Sequence, residues 1–72
     1  MTWQWLDHTG YKPYDTAVQN TIESAWRAYS GTGGPSSIVV QFPGRPESYR
    51  IDFISGTQTN TVSGESRGIR RA

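Results

Sequence analysis

The chain has 72 residues, enough for one domain, and a domain this small folds alone only if nearly every large apolar side chain enters one thin core. Three Trp, four Tyr and two Phe carry most of that apolar mass, which gives an aromatic core and leaves no second layer for a large enzyme cleft. The absence of cysteine excludes disulfide staples and cysteine-ligated zinc, and a net charge of +1 does not suit the broad basic face of a nucleic-acid track.

Thr2 to Leu6 alternates, with Trp3 and Trp5 on one face, and predicts a strand. Asp7 to Gly10 reads as a turn, and Tyr11 to Tyr14 as a short extended piece, because Pro13 biases Lys12 away from helix. Asp15 is placed to cap a helix, its carboxylate accepting from the free amides of the first turn. Val18, Ile22, Ala25, Trp26 and Tyr29 then recur at helical spacing, predicting a helix over Thr16 to Tyr29 that Ser30 and a left-handed Gly31 terminate.

Thr32 to Ser36 is a Gly/Pro/Ser loop that lacks a Lys-Ser/Thr ending and precedes no helix, so it is not a P-loop. Ile38 to Phe42 and Tyr49 to Phe53 alternate as strands on either side of a turn from Pro43 to Pro46. Ser55 and Gly56 break the second of these. Thr57 to Val62 fits a strand, Ser63 to Ser66 a turn, and Arg67 to Arg71 a last strand. The order predicts an α+β fold over 1–72 as a single domain: a curved antiparallel half-barrel sheet packed against one α-helix. No run is long and apolar enough to span a membrane, and no signal-peptide pattern opens the chain, which is expected to be a domain of something larger.

Few residues offer chemistry. His8 is the only histidine, and the neighbouring Asp7 points elsewhere in extended backbone, so His8 reads as a surface-loop residue. No metal-ligating cluster and no carboxylate pair is visible. Glu23 flanks the apolar stripe, either as a salt bridge to Arg27 or as a carboxylate tying the helix to a neighbouring strand. Trp3, Trp5 and Trp26 read as core. Tyr14 and Tyr49 sit at element ends, where a phenol either covers the core edge or offers a ring face and a hydroxyl to a ligand. Gln58 and Asn60 share one strand face; an amide suits an adenine edge, although spacing alone favours a solvated face. Arg67 follows a turn and could fork onto a phosphate, whereas Arg70 and Arg71 read as a solubilising tail, with no acid past Glu65.

Taken together the residues resemble a known pattern. Trp3-Gln4-Trp5-Leu6, Gly10-Tyr11-Lys12-Pro13-Tyr14-Asp15, Ile22-Glu23-Ser24-Ala25, Tyr49-Arg50-Ile51-Asp52-Phe53 and Gln58-x-Asn60-x-x-Ser63-Gly64-x-x-Arg67-x-Ile69-Arg70-Arg71 run through the chain. The string resembles the WWE domain of Deltex-type and other ubiquitin ligases and of some poly(ADP-ribose) polymerases. The resemblance places Trp3, Tyr11 and Glu23 as the structural Trp-Trp-Glu set, with Tyr11 an aromatic replacement for the second Trp. A second departure is Gly56, near where relatives carry Met at the floor of the adenine pocket.

The resemblance implies a non-enzymatic module that binds poly(ADP-ribose), or ADP-ribosylated proteins, through the iso-ADP-ribose unit. Tyr14, Tyr49, Gln58 and Arg67 would form the ligand set, with no catalytic residue, metal or cofactor. It further implies an intracellular setting, nuclear or cytoplasmic, beside ubiquitin-ligase or ADP-ribosyltransferase domains. Two alternatives stay open: a protein–protein interaction module in such a scaffold, and a binder of terminal ADP-ribose or an adenine nucleotide.

Overall fold

The computed structural model describes residues 2–42, 44 and 46–72. Strands β1 (Trp3–Asp7) and β2 (Gly10–Pro13) precede helix α1 (Thr16–Thr32), and β3 (Ser37–Gln41), β4 (Ser48–Asp52), β5 (Thr57–Asn60) and β6 (Ser66–Arg71) follow it. All six strands join one antiparallel open sheet in the order β2-β1-β6-β5-β4-β3. The first and last strands therefore pair inside the sheet, Trp3 opposite Arg71 and Trp5 opposite Ile69.

The α+β architecture matches the sequence expectation, and the sheet's curvature follows from what α1 touches. The helix packs on both β1 and β3, which lie four inter-strand spacings apart. On a flat sheet those strands would be roughly 19 Å apart, wider than a helix of roughly 10–12 Å. One helix can reach both only if the sheet wraps around it.

The core follows the pleat. Trp3, Val18, Ile22, Val40 and Ile51 are buried together with Tyr14 and Tyr49, and Trp5, Trp26, Phe53 and Ile69 pack against them. Trp26 meets Trp3 and Phe53 edge-on, at 5.7 and 5.6 Å between ring centroids, so the helix stripe docks on aromatic edges. Two polar clasps fix α1 to β1. The Gln19 carboxamide accepts from Trp3 N–H at 2.6 Å and donates to Trp3 C=O at 2.7 Å. Glu23 accepts from the Trp3 indole N–H at 2.8 Å.

The ends of β1, β3, β4 and β6 lie within a residue of expectation, and three larger differences have a local cause. Gly10 to Pro13 is a full strand, because the Asp7–Gly10 hairpin carries it alongside β1. Pro13 is tolerated there since β2 is an edge strand. The helix runs past Tyr29 to Thr32, its last turn held by Ser30 Oγ donating to Trp26 O and Thr32 Oγ1 to Ala28 O. The left-handed cap falls on Gly33, at φ 71°, and Gly31 remains helical. Finally, β5 stops at Asn60, whose Oδ1 accepts from Val62 N–H at 2.8 Å and Ser63 N–H at 3.0 Å and turns the chain early. The expected Pro43 to Pro46 turn includes Pro43 and Arg45, which lie outside the described residues.

Candidate functional site

The inner face of the sheet has two ends. At one, Trp3 and Arg71 lie under the helix. At the other, the cross-strand pairs Gln58–Arg67 and Tyr49–Asn60 lie beyond it. Arg67 and Arg71 share a face of β6 but are four residues, roughly 13 Å, apart, and they serve different ends.

The uncovered end forms a cleft of about 340 Å³ lined by Trp5, Asp7, His8, Phe42, Tyr49, Gln58, Asn60, Glu65 and Arg67. Its size is at the lower end of the range of small-molecule pockets, about 300–1,000 Å³. Phe42 and Tyr49 stack at 4.5 Å with 19° between their planes and present an aromatic wall. Tyr14 leans on Phe42 from behind at 5.7 Å.

Gln58 is the one polar residue among the described ones that is buried, at 4% exposure. Its Oε1 accepts from the Tyr14 hydroxyl at 2.6 Å. With Oε1 occupied, Gln58 offers the cleft the two donors of its Nε2 amide. Burial holds the Tyr14 phenol well above its ordinary value, so it remains a hydrogen-bond donor.

Arg67 stands directly opposite Gln58 across the β5–β6 pair. Its guanidinium lies 6.0 Å from the Trp5 ring centroid and pairs with Glu65 at 2.9 Å. At the lip, the Asp7 carboxylate accepts from the His8 backbone N–H and meets His8 Nδ1, each at 2.8 Å. The His8 amide, offset by partial burial, is the main cause that lowers the Asp7 carboxyl, with the His8 ring and Arg67 adding to it. The cleft thus combines an aromatic wall, amide donors, one guanidinium and a carboxylate–imidazole pair. That combination can receive a flat heteroaromatic ring joined to an anionic group.

Of the residues expected to bind, Gln58, Arg67 and Tyr49 line this cleft, and Tyr14 stands behind it. Tyr14 and Tyr49 do not sit at solvent: they are 6% and 7% exposed and belong to the core. Tyr14 reaches the site through Gln58. Asn60 lines the cleft, but its side-chain oxygen is engaged in the β5 turn.

The structure corrects four further expectations. Asp7 does not point away from His8, because the hairpin folds its carboxylate back onto the following residue. Arg71 is no free tail: it forks onto Glu23 through Nε at 2.9 Å and an Nη at 2.8 Å. Arg70 lies 3.8 Å over the Tyr11 ring and donates to Gln4. Gly56 is not at the floor of the cleft; it lines a smaller hollow of about 200 Å³ at the other end, with Trp3, Trp26 and Phe53.

The structural trio is divided. Trp3 and Glu23 join β1, α1 and β6, with Glu23 also bound to Arg27 at 2.9 Å, so both readings of Glu23 hold. Hydrogen bonds from Arg71, then Trp3, hold the Glu23 carboxyl well below the usual glutamate range. Tyr11 instead faces outward, partly exposed beneath Arg70. Sequence reasoning missed Trp5, Phe42, Asp7, His8 and Glu65 as cleft residues and Gln19 as a clasp. The inward alternation of Trp3 and Trp5 was a signal for Trp5, but it does not say which Trp the helix leaves uncovered.

A family model described as the WWE domain matches residues 1–71. Among curated proteins, the chain is similar to "E3 ubiquitin-protein ligase DTX4" of Mus musculus, at 36% identity over 72 residues. That match covers 99% of this chain and 12% of the mouse protein, so the chain spans a small part of the relative's length.

Proposed function

From the premise that this chain belongs to the WWE domain family, we propose that it is a non-enzymatic module that binds poly(ADP-ribose) through the iso-ADP-ribose unit. The observation that carries the reading is the direct opposition of Gln58 and Arg67 in one cleft, beside the Phe42–Tyr49 wall. An adenine ring finds a flat partner in the wall and donors at Gln58. A phosphate placed along the same strand pair meets Arg67, whose planar fork matches phosphate oxygens. Adenine and phosphate are both needed for the fit, and they occur together in each unit of the polymer.

Binding rather than catalysis is supported by the family, which is one of binding and interaction domains. The setting proposed is intracellular, nuclear or cytoplasmic, within a longer ubiquitin-ligase or ADP-ribosyltransferase scaffold. The similarity to a ubiquitin ligase supports the first of these scaffolds. Calorimetric titration with iso-ADP-ribose, polymer, ADP-ribose and ATP tests the reading. Iso-ADP-ribose and polymer should bind most tightly. Equal affinity for ATP, or binding of none of the four by the folded domain, overturns it.

A further inference from the structure

Arg67 offers the cleft a phosphate contact, but carboxylates stand beside it. Among the described residues, Asp7 and Glu65 supply two carboxylates and Arg67 is the single guanidinium, already paired with Glu65. With a neutral imidazole these described residues carry more negative than positive charge. A phosphate approaching Arg67 must compete with Glu65 and pass Asp7. A pair as exposed as Arg67–Glu65 is weak and readily exchanged. The excess negative charge remains after that exchange.

His8 is the group able to change this balance. Its ring borders the cleft and is largely exposed, 82% by side-chain area. Asp7 holds the ring at Nδ1, which leaves Nε2 as the nitrogen a ligand can meet. Imidazoles as a class change charge between about pH 5 and 8. Uptake of one proton would turn Nε2 from an acceptor into a cationic donor and bring the four ionised groups at the lip to balance.

We propose that His8, tethered by Asp7 at the lip, is a further ligand-contacting residue of this cleft, and that the proton on its ring sets how strongly the cleft holds phosphate. This rests on the poly(ADP-ribose) reading above and names a regulation of the same site. The groups that face His8 are Asp7 from β1, Arg67 from β6 and Glu65 from the turn before it. A drop in pH strengthens binding by adding a cation where the ligand's phosphates lie, and high salt flattens the effect because the contact is exposed.

The test titrates poly(ADP-ribose), whose internal diphosphate diesters keep their charge over this range, into the wild-type domain, His8→Ala and His8→Lys at about pH 5.5 and about pH 8. Wild type should bind roughly two- to fivefold more tightly at the acidic pH, the scale of one exposed charge contact. His8→Ala should bind weakly and His8→Lys tightly, each with the same affinity at both values. Circular dichroism at both values ensures that only folded protein is compared. A wild-type affinity independent of pH, or a pH dependence that survives in His8→Ala, overturns this inference and leaves the binding reading standing. No binding at either pH by folded wild type overturns the binding reading, and this inference with it.

Discussion

The Tyr14 hydroxyl donates to Gln58 Oε1 at 2.6 Å, joining two buried groups that lie 44 residues apart. This bond couples the start of the helix to the middle of β5, and it orients the only buried amide that borders the cleft. Structure and recognition therefore share one hydrogen bond.

Tyr14→Phe removes that donor while keeping the ring against Phe42. The Gln58 carbonyl is left without its partner, which costs about 1–3 kcal/mol. In a domain of this size a loss of about 1 kcal/mol lowers Tm by roughly 4–8 °C. Urea unfolding of the variant should show that loss, and iso-ADP-ribose should bind more weakly because the amide is free to turn. Unchanged stability with unchanged affinity would show that the bond orients nothing.

Glu23 carries the acid sensitivity of the fold. Arg71, Trp3 and Arg27 all bond to it, and its carboxyl titrates well below the ordinary 4.5. Because the folded value is depressed, its contribution is fully present above pH 4.5 and is lost as pH falls through the folded value. Glu23→Gln keeps an acceptor for the Trp3 indole but removes the charge. The variant should melt lower than wild type at neutral pH, and the gap should shrink as pH drops below 4.5. A constant gap across the acid range contradicts this account.

Much of the fold was legible because it rests on local pattern. Alternation at Trp3 and Trp5, the Val18–Ile22 stripe and the Asp15 cap all appear as read, the Asp15 carboxylate accepting from Ala17 N–H. What was not legible depends on distance in space. Gly31 reads as the helix stop, but the helix continues until Gly33 turns left-handed and its N–H, with that of Gly34, closes on Ala28 O. Arg71 reads as a tail in any sequence window, since its partner Glu23 is 48 residues away. The same holds for Tyr14: nothing local says that a phenol before a helix meets a glutamine on the fifth strand.

The two arginines on the inner face of β6 should separate by readout. Arg71→Ala breaks the fork onto Glu23 and should lower Tm while leaving affinity for iso-ADP-ribose nearly unchanged. Arg67→Ala gives up a pair with the exposed Glu65, a long 3.5 Å bond to Leu6 O and a distant contact with Trp5, so Tm should fall less than in Arg71→Ala. Its phosphate fork is worth about 1.5–3 kcal/mol, and affinity should fall roughly ten- to a hundredfold. Arg67→Lys should recover part of the loss, keeping the charge without the fork. Equal losses of affinity from both alanine variants, erased by moderate salt, would mean a diffuse cationic surface.

Amide chemical-shift mapping with poly(ADP-ribose) tests the central claim most directly, because the two ends of the inner face report separately. The account predicts shifts at Trp5, His8, Tyr49, Gln58 and Arg67 around the cleft, with Trp26, Phe53 and Gly56 around the far hollow unmoved. Shifts confined to the far hollow, or no shift anywhere in the folded domain, would contradict it.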